Sequence, residues 1–142
     1  GGLVSDGAGN YWGTTFAGGA NGLGTVFKLQ TNTSTLTSVA SFTGLAGPAR
    51  GSGPAAGLVS DGAGFLWGTT RSGGSGPGEG NGTVFKVNLA TNALSTVVYF
   101  TGTTGAARGA APSGGLVSEG AGFLWGTTEL GGAAGAGSAR RR

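Results

Sequence analysis

Cysteine, histidine and methionine are all absent from the 142 residues. Without cysteine there is no disulfide, no thiol nucleophile and no cysteine-ligated zinc. Without histidine there is no Ser-His-Asp triad, no imidazole proton shuttle and little scope for a transition-metal site. Charge is also scarce, at 9% of residues, and the net +3 comes from the terminal Arg140, Arg141 and Arg142. In the body, Lys28, Arg50, Arg71, Lys86 and Arg108 balance Asp6, Asp61, Glu79, Glu119 and Glu129. A nucleic-acid binder carries a basic stripe on its folded body. None is visible, so no nucleic-acid partner is expected. No apolar run approaches the roughly 20 residues that span a membrane, and no signal peptide is recognisable. No cofactor and no metal site is expected.

Glycine, by contrast, is abundant. The chain has 35 glycines and 4 prolines, a share that usually warns of disorder. Hydrophobic residues nevertheless make up 37% and gather in short β-rich runs, whereas disordered chains are poorer in them and richer in charge.

Those runs recur. Gly2-Leu3-Val4-Ser5-Asp6-Gly7-Ala8-Gly9-Asn10-Tyr11-Trp12-Gly13-Thr14-Thr15 returns from Gly57 to Thr70 and again from Gly115 to Thr128, at offsets of 55 and 58 residues. A second motif, Gly24-Thr25-Val26-Phe27-Lys28 leading to Phe42-Thr43-Gly44, returns as Gly82-Thr83-Val84-Phe85-Lys86 leading to Phe100-Thr101-Gly102. The three extra residues of the second copy fall in the loop after Thr70, and loops accept insertions that paired strands do not. The chain divides into unit 1 (1–56), unit 2 (57–114), a partial unit 3 (115–137) and an aberrant basic tail (138–142).

Each full unit holds four strand candidates. In unit 1 they are Leu3–Ser5, Tyr11–Thr15, Thr25–Gln30 and Leu36–Phe42. Asp6-Gly7-Ala8-Gly9 is a strong turn signal between the first two. Thr31-Asn32-Thr33, matched by Thr91-Asn92-Ala93, turns between the last two, because Asn tolerates the left-handed conformation. No 3.6-residue periodicity is present. Four short antiparallel strands in a unit of this length predict an all-β fold of propeller-blade-like repeats, about two and a half of them, not closed. A stack of hairpins or a β-solenoid is the alternative, and solenoid coils are usually shorter.

The ordered pattern Gly-Leu-Val-x-Asp-x-x-Gly-x-x-Trp-Gly-Thr-Thr, Gly-Gly, Gly-Thr-Val-Phe-Lys, Phe-Thr-Gly resembles the GloVer-type tandem repeat of the choice-of-anchor proteins, from Gly2 to about Gly137. The resemblance implies bacterial proteins exported to the cell surface or beyond and held by differing C-terminal anchors. It implies no enzyme activity and no catalytic residues. Asn10 keeps the family's Asn, whereas Phe65 and Phe123 replace it, and Trp12, Trp67 and Trp125 stand where Tyr is frequent. The hairpin from Asp6 to Thr15 is also similar to those of two-component regulator propellers.

The repeat breaks at Ser138, where Thr-Val-Phe-Lys should follow Gly137. A shifted or truncated reading frame is the favoured expectation over a functional tail. A chain that opens inside a repeat without methionine, and that has too few units to close, is expected to be part of a longer protein. Further repeat units of that parent are its expected neighbours.

Each candidate site has a plain reading beside the sharp one. The three tryptophans could stack on sugar. Buried, each removes roughly 150–250 Å² from water, at most about 4–6 kcal/mol, so core packing is favoured. Asp6, Asp61 and Glu119 could ligate calcium, but calcium needs six to eight oxygens and several carboxylates per site. Capping the turn is the better use of one carboxylate per unit. The loops 17–24, 73–82 and 131–137 lack the Lys-Ser/Thr of a phosphate-binding loop and read as flexible connectors. Lys28 and Lys86 are expected to form salt bridges or to snorkel to a sheet rim.

Arg50, Arg71, Glu79 and Arg108 lie on the long loops, which a meander gathers on the face opposite the tight turns. Binding residues concentrate on such loops. These four are the candidate ligand-binding residues, with a glycan or another protein as the partner; solubility is the plain reading. The expected function is a non-enzymatic extracellular or cell-surface repeat used for scaffolding, adhesion or weak binding. A sensor segment of a two-component-type receptor is the alternative, and a carbohydrate-active fragment ranks lower. Two catalytic carboxylates must stand about 5–10 Å apart, and Glu119 and Glu129 lie at opposite ends of one hairpin strand.

Overall fold

The computed structural model describes residues 2–75, 78–135 and 137–141. It is all-β. Unit 1 is a meander of β1 (Val4–Ser5), β2 (Asn10–Thr15), β3 (Thr25–Gln30) and β4 (Thr35–Ser41), hydrogen-bonded in that order. Unit 2 repeats it with β5 (Val59–Ser60), β6 (Phe65–Thr70), β7 (Thr83–Asn88) and β8 (Leu94–Tyr99). Unit 3 has β9 (Val117–Ser118), β10 (Leu124–Thr128) and β11 (Ser138–Arg141). All pairs are antiparallel, and the four-stranded repeat read from the sequence is present.

Alternation explains how the sheets pack. Side chains along a strand point to opposite faces, so Trp12 and Val26 share one face while Tyr11, Gly13, Phe27 and Leu29 share the other. The Trp face of unit 1 meets the Leu/Phe face of unit 2. Trp12, Val26 and Phe42 form a core with Leu58, Leu66, Phe85 and Val87. The Phe42 and Phe85 rings meet edge-on, with centroids 5.1 Å apart at 64°, an arrangement worth about 0.5–1.5 kcal/mol beyond burial. The next seam packs Val84, Val98 and Phe100 with Trp67 and Leu116.

Glycine lets the aromatic ring lie flat on the sheet. A Cβ on Gly68 would stand 2.5 Å from Phe85 Cζ, and one on Gly13 2.6 Å from Phe27 Cζ.

Backbone bonds fasten one unit to the next. Ser52 and Ser72 exchange N–H···O bonds of 2.9 and 3.0 Å, Arg71 N donates to Gly53 O at 3.1 Å, and Gly74 N donates to Gly44 O at 3.0 Å. Ala110 and Leu130, Glu129 and Ala111, and Gly132 and Gly102 repeat the same bonds 58 residues on. The Gly-rich loops are closed as well: Gly24 N donates to Gly18 O, Gly82 N to Gly73 O and Gly137 N to Gly131 O, at 2.9–3.1 Å.

Two local expectations need correction. Asn92 is left-handed as expected, with φ of 60°, but in unit 1 the left-handed residue of that turn is Ser34, with φ of 54°. Pairing of Gln30 with Thr35 sets the turn register there and leaves Asn32 outside that position. The basic tail is the second. Although the motif fails at Ser138, Ser138–Arg141 pairs with β10, with Thr128 opposite Ser138 and Trp125 opposite Arg141. This is the register of Thr15 with Thr25 and Trp12 with Lys28. An open strand edge offers N–H and C=O groups that any extended segment can satisfy. The side-chain pattern is not kept, since Ala139 and Arg140 take the places of Val26 and Phe27.

Candidate functional site

The first hairpin of each unit is organised by its acid. Asp6 Oδ1 accepts the backbone N–H of Ala8 (2.8 Å) and of Asn10 (3.2 Å). Its Oδ2 accepts Asn10 Nδ2 (2.7 Å) and the Trp12 indole Nε1 (3.0 Å). Asp61 does the same with Ala63, Phe65 and Trp67, at 2.7, 3.2 and 2.9 Å. Glu119 Oε2 accepts Trp125 Nε1 at 2.8 Å. The two aspartates cap turns, as the sequence suggests, and all three acids anchor the tryptophan six residues on. Partial burial would raise the Asp6 carboxyl, but the bonds from Trp12, Asn10 and Ala8 outweigh it and hold it at about 2. Asp61 is lowered by the same balance, burial opposed by Trp67, Ala63 and Phe65.

Among the described residues, Lys28 and Lys86 form no salt bridge, and each lies over an aromatic ring. Lys28 Nζ lies 5.4 Å from the centroid of the Trp12 ring. Lys86 Nζ lies 4.5 Å from Phe65 and 5.6 Å from Trp67. The cross-strand pairs Trp12–Lys28 and Trp67–Lys86 place each ammonium over an indole face, where the ring quadrupole attracts it.

The long-loop residues have divergent surroundings. Arg50 is half-buried, and its guanidinium sits 5.5 Å from the Tyr99 ring centroid. Arg71 Nη2 pairs with Glu129 Oε2 at 3.3 Å, joining equivalent positions of neighbouring units at the surface. Arg108 is exposed. Glu79, also exposed, borders a cleft of about 300 Å³ with Leu23, Leu45, Ser52 and Ser72. Of the four, Glu79 alone lines this cleft.

A larger cleft, about 600 Å³, opens on the tight-turn side between units 2 and 3, lined by Asp61, Trp67, Lys86, Val97, Phe123 and Leu124. Sequence reasoning did not find it, though the signal was present in the break at Ser138. At the equivalent place between units 1 and 2, Phe85 and Val87 fill the seam and Trp12 is buried. In unit 3, Arg140 stands opposite Gly126, as Phe85 stands opposite Gly68. The place of Val87 falls beyond the described residues. Trp67 is left half-buried at the mouth of the cleft.

Meandering sheets on a 58-residue repeat, joined by repeated backbone bonds, define a tandem-repeat β protein. The chain belongs to the Gloeobacter/Verrucomicrobia repeat family, whose model matches residues 1–139. No curated protein and no solved structure matches it. Among the described residues, no helix is long and apolar enough to cross a membrane.

Proposed function

We propose that the chain is a non-enzymatic scaffold segment of an exported bacterial repeat protein of propeller-like architecture. It acts at the cell surface or outside the cell, in adhesion or display. The observation that carries this reading is the commitment of its acids to structure. Asp6 and Asp61 hold turns and tryptophans, and Glu129 holds Arg71 of the neighbouring unit. A general acid or nucleophile needs a carboxyl available to a substrate; the two aspartates are engaged in holding the fold, and Glu129 is paired with an arginine. The depressed carboxyl of Asp6 is likewise the reverse of what a general acid needs.

Binding, in this reading, is weak and takes place on the long-loop face around Glu79, Arg50 and Arg108. A glycan array on the full chain tests it. Signal that falls with Glu79→Ala or with Arg50→Ala/Arg108→Ala supports a binding role. Silence across the array leaves the scaffold role alone. Turnover of any glycan by the chain would defeat the non-enzymatic reading.

A further inference from the structure

Four of the five acids are held by other side chains. Asp6, Asp61 and Glu119 bind tryptophans, and Glu129 binds Arg71. Glu79 is the fifth. Among the described residues its carboxylate has neither a hydrogen bond nor an ion pair. Its backbone is nevertheless fixed, because Glu79 O accepts Gly73 N at 2.6 Å. Glu79 belongs to the longer copy of the Gly-rich loop, and neither loop 17–24 nor loop 131–137 contains an acid.

The cleft that Glu79 borders lies between units 1 and 2, both of them complete four-stranded sheets. Ser52 and Ser72 face each other across a backbone bridge in its wall, and neither hydroxyl has a partner among the described residues. Leu23 and Leu45 supply the apolar part. Leu45 is 45% exposed and packs on Gly80, where a Cβ would stand 2.9 Å from Leu45 Cδ2. The repeat does not require this set. Asn81, Thr103, Ala110 and Leu130 stand at the same places in the next seam.

An unpaired carboxylate at a cleft favours a cation. Two unused hydroxyls favour a ligand with hydroxyls of its own, and two leucines favour a compact C–H surface. A lysine side chain meets the first and third conditions but leaves the serines unused. An aminated sugar ring meets all three, through its ammonium, its hydroxyls and the C–H face of the ring. The cleft volume of about 300 Å³ is at the small end for ligand sites and suits a single ring. One carboxylate can hold such a ring, whereas cutting a glycosidic bond takes two.

We infer that this cleft is a subsite for a glycan carrying a free amino group, with the ammonium on Glu79 and ring hydroxyls on Ser52 and Ser72. The inference rests on the weak binding proposed above for the long-loop face and names the sugar that this face takes.

Amide NMR titrations of the chain with a glucosamine tetramer, and with the same tetramer fully N-acetylated, provide the test. They are run at low salt, where charges are least screened. The amine form is expected to shift Leu45, Ser52, Ser72 and Glu79, with a Kd of about 1 mM. The acetylated form should bind about threefold more weakly, the scale of an exposed ion pair. Glu79→Gln should weaken the amine form by the same factor and leave the acetylated form unchanged, a cycle that isolates the ammonium–carboxylate pair. Ser52→Ala/Ser72→Ala should weaken both. Glutamine is isosteric and position 79 exposed, and the amide spectrum of each variant checks that the fold is kept. Equal affinity for the two tetramers, or amine binding that survives Glu79→Gln, overturns the amino-sugar subsite but leaves glycan binding on this face standing. Glucosamine monomer that binds no better than Nα-acetyl-lysine amide also overturns it, since the hydroxyls would then contribute nothing. If neither tetramer shifts any amide, the inference fails, and the glycan array separately decides whether weak binding of other sugars survives.

Discussion

The Trp12 indole N–H donates to Asp6 Oδ2 at 3.0 Å, which ties the end of a tight turn to a ring at the centre of the core. The same carboxylate takes two backbone N–H groups of the turn. One residue therefore couples turn geometry to the placement of the largest buried side chain in unit 1.

Asp6→Asn tests that coupling. The amide keeps one acceptor oxygen but cannot accept from the turn and the indole together. A carboxyl moved from 3.8 to about 2 corresponds to about 1–2 kcal/mol after allowance for its partial exposure. The folded value lies below the unfolded one, so this stabilisation is complete above pH ~4 and fades as pH falls towards 2. Urea melts at pH 7 should show the loss, and the gap between wild type and variant should narrow below pH ~4. A gap that stays constant down to pH 2 would show that the charge of Asp6 is not the source of the effect.

Gly68→Ala should cost about 2–3 kcal/mol. Its Cβ would meet the Phe85 ring at 2.5 Å and Leu58 Cδ2 at 2.8 Å, both buried in the seam, and overpacking of this kind costs about 1–3 kcal/mol. Gly126→Ala is the control. Among the described residues, the close neighbour there is one flexible Leu116 methyl, which can turn aside, and the melting temperature should hardly move. Equal losses at the two glycines would remove the flat Phe85 ring as the reason for Gly68.

Ala111 has φ of 53° and occupies the place of Gly53, whose φ is 62°. A left-handed alanine is strained by roughly 1–2 kcal/mol, and glycine gives back about 0.5–1 kcal/mol in unfolded-state entropy. Ala111→Gly should therefore stabilise by up to about 1 kcal/mol, read as a rise of a few degrees in thermal melting. The neighbouring side chain explains why alanine is admitted here. A Cβ on Gly53 would stand 3.0 Å from the Phe16 ring, and at the repeat-equivalent position unit 2 has Arg71 instead.

The strands were legible because alternation, β-branching and the Asp-Gly turn all act within a dozen residues. The inter-unit bonds were not. They join the backbones of Ser52 with Ser72 and Gly44 with Gly74, and a backbone bond leaves no side-chain signature. Pairing of the tail was hidden for the opposite reason. Ser138–Arg141 has poor strand chemistry of its own, and the edge of β10 supplies the order. The aromatic face beneath Lys28 lies across the strand pair, and charge counting looks only for an acid. The Asp6 turn cap was anticipated, but its indole bond depends on the twist of a hairpin that spacing alone does not describe.

Arg71 and Glu129 make the last prediction, which separates an ion pair from a hydrogen bond. The Ser113 hydroxyl and the Arg71 guanidinium together hold the Glu129 carboxyl below its ordinary range, the hydroxyl being the larger cause. Both charged side chains are nearly half exposed, and surface pairs of this kind contribute little to stability. Arg71→Ala should leave the melting temperature within error. The Glu129 titration, followed by the NMR shift of its side-chain carboxyl carbon, should move up only part of the way, and Ser113→Ala should move it further. Added salt should raise the wild-type value, because screening weakens the Arg71 contribution, and should do so less in Arg71→Ala. The lowered carboxyl stabilises the fold above its unfolded value and loses that effect in acid. The Arg71 share of that effect is too small to move the melting temperature, so the melting curves of wild type and Arg71→Ala should stay together from neutral pH into acid. A loss in Arg71→Ala that persists in acid would mean that Arg71 supports the seam through the packing of its stem, with Glu129 incidental to it.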